Sequence, residues 1–239
     1  MWILNLFLFL TVIGGGYLGF QPWFQFDRLN KNIVLNGSLA ILLLFTILMI
    51  LYMIGLFPQS IAAPFMMFLY SFIGGFFFGY AGRLYNLRKD SGQMLYQHHS
   101  FWVDHAPNLL AIAIIIFGLY RTAVLTDSII TGIRVTSGIS LISFGIFTWT
   151  LKVVPEFRSK GVLLLDRYIL WEEVIAWHWV SEDVLGIEYL VEEEKYDERI
   201  KEFSTAIPPL ERKEIELILK SKMDEYFEER KQRLLDQED

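Results

Sequence analysis

Only four of the chain's 27 acidic residues lie in its first 152 positions: Asp27, Asp90, Asp104 and Asp127. The other 23 crowd into the remaining residues, so the two parts of the chain are suited to different solvents. Long apolar runs separate the few charges of the first part. A helix needs roughly 20 apolar residues to cross the hydrocarbon of a bilayer. Five segments approach that length: 2–20, 33–57, 61–80, 108–125 and 136–154. They predict an all-α membrane bundle of about five transmembrane helices over residues 1–154. Overall, 54% of residues are apolar, above the usual share for a soluble domain.

The fifth segment carries Thr136, Ser137, Ser140 and Ser143, which predicts packing against protein rather than lipid. The short link 58–60 makes the second and third segments an antiparallel hairpin. The N-terminal run lacks a basic n-region and a small-residue cleavage site, so it reads as a retained span. With no cysteine, the chain has no disulfide, thiolate metal site or cysteine nucleophile.

Lys and Arg set the expected direction. With the C-terminal domain cytoplasmic, Arg28, Lys31, Arg83, Arg88, Lys89, Lys152, Arg158 and Lys160 lie inside. Only Arg121 and Arg134 then lie outside. The prediction is a multi-pass protein of the cell membrane with its N-terminus outside and its C-terminal domain cytoplasmic. Trp23, Trp102, Trp149, Tyr80, Tyr85 and Tyr120 fall near span ends, as interfacial aromatics do.

Two GxxxG pairs, Gly15 with Gly19 and Gly75 with Gly79, are candidates for close helix packing. They stand sixty residues apart in similar surroundings, and Arg28 and Arg88 keep the same offset. A duplicated two-helix hairpin would produce that pattern. No ionisable residue lies deep in a span, which argues against a proton- or sodium-coupled transporter.

The 81–107 segment reads as a cytoplasmic loop holding His98, His99, Asp104 and His105. Imidazoles and a carboxylate are ligands for zinc or non-haem iron, so these four are the candidate metal ligands. Their spacing matches no established motif. The competing expectation is an interfacial loop with Phe101 and Trp102 among headgroups. No cofactor motif is present, and there are no candidate catalytic residues.

From residue 155 the pattern changes to short strands between turns: 157–159, 162–165, 168–171, 174–180, 184–191 and 199–207. Glu192–Glu198 reads as a solvated hairpin tip. Pro208 and Pro209 open a C-terminal helix over 209–235 with Ile215, Ile218, Leu219, Met223, Tyr226 and Phe227 on one stripe. Trp171, Trp177 and Trp179 are the expected domain core. Arg158, Lys160 and Arg167 are a candidate basic patch toward the membrane.

The run Phe157-Arg158-Ser159-Lys160-Gly161-Val162, then Trp171-Glu172-Glu173-Val174, then Trp177 and Trp179, resembles bacterial pleckstrin-homology-like (PH-like) domains of unknown function. The resemblance covers about residues 155–225. It implies an α+β domain, an antiparallel sheet with one C-terminal helix, often attached to membrane spans, and it implies no catalytic residues. The expected function is interaction with a protein partner or organisation of the membrane, with homo-oligomerisation a further expectation. The alternatives are a small solute channel or transporter, and a metal-dependent membrane enzyme using the histidine loop. The acidic soluble part argues against nucleic acid.

Overall fold

The computed structural model describes residues 2–25, 30–126, 129–152, 154–193 and 197–238. Arg28, Asp127 and Glu194 lie outside the described residues. The chain forms two compact units. The first comprises residues 1–86 and 101–151; the second comprises 87–100 and 152–239. This grouping differs from the division expected at 154/155, because the fourteen residues 87–100 group with the C-terminal part of the chain.

The first unit contains α1 (Trp2–Phe20), α2 (Lys31–Met53), most of α3 (Gln59–Asp90), α4 (Phe101–Arg121) and α5 (Gly132–Thr150). The first four are long and apolar enough to cross a membrane. Helix α2 stops short of the expected 57 because Gly55 takes φ +83°, a left-handed turn that ends the helix. Helix α3 runs ten residues past the expected 80. Helix α4 starts seven residues before the expected 108, with Pro107 inside it.

Glycine sets the packing of α1 on α3. A Cβ at Gly15 would overlap the Phe72 carbonyl oxygen, and one at Gly19 the Phe76 carbonyl oxygen. Conversely, a Cβ at Gly75 would overlap Val12 O, and one at Gly79 would overlap Gly16 O. The helices run parallel, and the contacts form mates under the sixty-residue offset. Gly15–Phe72 matches Gly75–Val12, and Gly19–Phe76 matches Gly79–Gly16. Two equivalent helices crossing about a two-fold axis make contacts of this kind.

The other side of α3 packs on α5. Gly74 approaches Ser140 (3.2 Å from an added Cβ to Ser140 Cα). Phe77 meets Phe144 at 4.8 Å between ring centroids, and Tyr80 meets Phe147 at 5.2 Å. Tyr80 is only 1% exposed, so it is a core residue and not the interfacial aromatic expected. Helix α4 lies antiparallel on α5, with Gly118 against Gly138 and Gly145 against Ala111 and Ile115. Ser137, Ser140, Ser143, Gly138 and Gly145 of α5 are all buried. By contrast, α2 buries no residue at all.

The second unit holds β1 (Met94–Gln97), β2 (Glu156–Arg158), β3 (Gly161–Leu164), β4 (Arg167–Leu170), β5 (Val174–Trp179), β6 (Val184–Glu193), β7 (Asp197–Ala206) and α6 (Arg212–Glu238). Strands β1-β2-β3-β4 form one antiparallel sheet and β5-β6-β7 another. The supposed 81–107 loop thus supplies an edge strand: Tyr96 pairs with Phe157 and Gln97 with Glu156. Buried residues of both sheets and α6 share one core, from Tyr96, Phe157 and Trp171 to Leu185, Ile187, Ile215 and Leu219. Burying such side chains is worth about 1.5–3 kcal/mol each before the entropy of ordering them. Pro208 and Pro209 stay in a turn, with Glu211 N donating to Pro208 O (2.9 Å), and the helix begins three residues later than expected.

Candidate functional site

A group of titratable side chains in the second unit gathers where β1 meets the start of α6. Strand alternation turns Tyr96 into the core, edge-on to Phe157 at 5.8 Å. Its hydroxyl emerges beyond the apolar layer and donates to Glu211 Oε2. His98 follows the strand, and its Nδ1 lies 3.1 Å from the same oxygen. Glu211 occupies the position before α6, where its carbonyl accepts from Ile215 N (3.2 Å). A carboxylate there also favours the positive end of the helix.

Partial withdrawal from water pushes the Glu211 carboxyl up, but hydrogen bonds from Tyr96 and His98 hold it below its ordinary range. Burial, followed by the bond to Glu211, pushes the Tyr96 phenol well above its ordinary value. A recess of about 330 Å³ opens beside this cluster, with His99, Glu211 and Glu214 among its lining residues. Its two carboxylates suit it to a basic group.

The four expected metal ligands have separate settings. His98 is engaged by Glu211, and His99 lines the recess. Asp104 and His105 lie in α4, where the His105 ring rests 5.0 Å from that of Phe101. Among the described residues, no three His, Asp or Glu side chains converge to hold one metal ion. The fourth histidine, His178 on β5, stands between Glu202 (3.5 Å from Nε2) and Glu188 (3.7 Å from Nδ1). Those carboxylates approach opposite ring nitrogens, so they flank the ring and do not converge.

Of the expected core tryptophans, Trp171 is 1% exposed and its indole donates to Arg158 O (2.9 Å). Trp177 and Trp179 are only partly buried, at the margin of the core. A register shift between Val174 and Ala176 turns both onto the core side, opposite the buried Ile187 and Leu185, although Val174 also faces inward. Trp179 donates to Glu216 (2.9 Å) and lies under Arg212, 4.4 Å from the ring centroid. Tyr168 has a buried hydroxyl, and loss of water pushes its phenol up to about 12.

Arg158 does not join an outward basic patch. Its Nε and Nη2 donate to Glu156 (2.8 and 2.6 Å), while Nη1 donates to the carbonyls of Arg88 and Gly92. Arg88 approaches the other Glu156 oxygen at 3.3 Å, and Glu156 is 3% exposed. This buried charge cluster ties the last turn of α3 to β2 within the second unit. Neither Glu156 nor Glu211 had a sequence signal beyond its place next to a strand or helix start.

No known family, curated protein or solved structure matches the chain.

Proposed function

We propose that this is a five-span membrane protein whose PH-like domain binds a protein partner and organises the helices beside it, with no catalytic role. The observation that carries the reading is the pairing of β1 with β2 across an intervening α4–α5 hairpin. The first sheet takes its edge strand from ahead of the hairpin, so the sheet domain is interrupted in sequence by α4 and α5 and is not a simple C-terminal appendage. Four plus three antiparallel strands and one C-terminal helix on a common core support the PH-like assignment.

The same pairing supports the topology. Residues 94–97 and 156–158 must lie on one side of the bilayer, so the hairpin between them returns to the side it left. If α4 crosses, α5 crosses too, its small polar residues covered by α3 and α4. The bases, eight against two, support a cytoplasmic location for that shared side. The mated α1–α3 contacts support a duplicated helical hairpin.

The partner surface we assign is the acidic outer face of β5–β7 around His178, Glu188 and Glu202, which suits a basic protein surface. Photo-crosslinkers at Glu188 and Glu202 in the intact membrane protein test it. A discrete protein adduct from both sites, lost when the other glutamate becomes Lys, is expected. Adducts that ignore the charge reversal, or none at all, contradict the reading.

A further inference from the structure

The two bases left on the outside of the proposed topology, Arg121 and Arg134, are thirteen residues apart in sequence and meet at one pocket. It encloses about 170 Å³ at the end of the α4–α5 hairpin and is lined by Tyr120, Arg121, Thr126 and Arg134. Arg121 ends α4, and Arg134 sits in the first turn of α5. The described residues just after Arg121 turn back toward the pocket. Ala123 is buried yet takes φ +67°, a left-handed conformation unfavourable for a residue with a Cβ. That turn, with Thr126 N donating to Ala123 O (3.4 Å), brings Thr126 back beside the arginines.

Two guanidiniums lining one small cavity repel each other unless an anion lies between them. Among the described residues neither is paired with a carboxylate; Arg134 reaches only the Ile129 carbonyl, at 3.4 Å. Val124, Leu125, Ile129 and Ile130, from the same segment between α4 and α5, stand exposed, from 63% to 82%. Two arginines at one pocket, with exposed apolar side chains in the adjoining segment at the end of the hairpin, match a lipid, with its phosphate in the pocket and its acyl chains on the apolar side chains.

We propose that Arg121 and Arg134 bind the phosphate group of an anionic lipid at the far end of the α4–α5 hairpin. The site rests on the proposed crossing of that hairpin. A reporter at residue 130 compared with one at 239 tests the crossing separately, so failure of the two readings can be told apart.

The test uses the full chain in nanodiscs of phosphatidylcholine alone, or mixed with phosphatidylglycerol, reading lipid retention by native mass spectrometry and Tm. Retention of a phosphatidylglycerol molecule and a raised Tm are expected for the unmodified chain. Arg121→Gln and Arg134→Gln each weaken retention roughly tenfold, the loss of charge-assisted hydrogen bonds. Lys213→Gln, an exposed base of the other unit, leaves it unchanged. Equal weakening in all three variants, or in none, overturns the proposal. In detergent, inorganic phosphate is expected to leave Tm unmoved; stabilisation by phosphate equal to that by lipid overturns the lipid assignment.

Discussion

The two units solve the problem of close packing in opposite ways. In the helical unit the tightest interfaces are backbone on backbone: Gly15, Gly19, Gly75 and Gly79 bring α1 and α3 together with no side chain between. In the sheet unit the interfaces are filled by Trp171, Phe157 and Tyr96, and charges are buried beside them. Lipid gives helices no hydrophobic reason to associate, so small residues and dispersion contacts must do so. Water drives large apolar side chains inside, and polar groups that follow them need partners.

The largest effect that would sharpen this contrast is expected at Glu156. Its removal leaves Arg88 and Arg158 with uncompensated buried charge. Glu156→Ala should therefore destabilise the sheet unit by about 3–5 kcal/mol, read as denaturant unfolding followed by tryptophan fluorescence. A loss like that of an exposed pair, below about 1 kcal/mol, would break the comparison.

Next comes the helix interface. Gly79→Leu forces a side chain against Gly16 backbone, and a cost of about 1–3 kcal/mol is expected from overpacking. By the mated contacts Gly19→Leu should cost a similar amount, whereas Gly14→Ala, with open space around its added Cβ, should cost almost nothing. Thermal melts in nanodiscs check all three. Unequal losses at Gly19 and Gly79 would count against the two-fold relation of α1 and α3.

What the sequence disclosed follows the same divide. The long apolar helices were legible from hydropathy, and the strands from β2 to β7 from alternation between turns, because both signals are local. Helix ends moved where backbone conformation rather than hydropathy decides, as at Gly55. Strand β1 was hidden because four residues in a segment rich in His and aromatics carry no period of their own. Its identity as a strand comes from β2, about sixty residues on, as does that of Tyr96 from Glu211. Tyr80 looked interfacial because its sequence neighbours mark a span end; only the longer α3 reveals that it faces α5.

The smallest expected effect is a pH dependence at the β1–α6 contact. Glu211 is held below the ordinary carboxylate range, so its contribution is present above the unfolded carboxylate pKa of about 4.3 and fades as pH falls through its folded value. Glu211→Gln should thus lower the Tm of the sheet unit near neutral pH, and the two proteins should converge under acid. A gap that persists or widens on acidification would show that the carboxylate charge is not what matters there.

The central claim is that the sheet domain is completed by a strand from the other side of the α4–α5 hairpin in sequence. Its most direct test compares residues 152–239 alone with the same segment preceded by residues 87–100 on a flexible linker. The expected result is cooperative thermal unfolding only when β1 is supplied, since without it Tyr96 leaves the core and both Arg88 and the hydroxyl bond to Glu211 are lost. Equal cooperativity and equal Tm for the two proteins would contradict the claim.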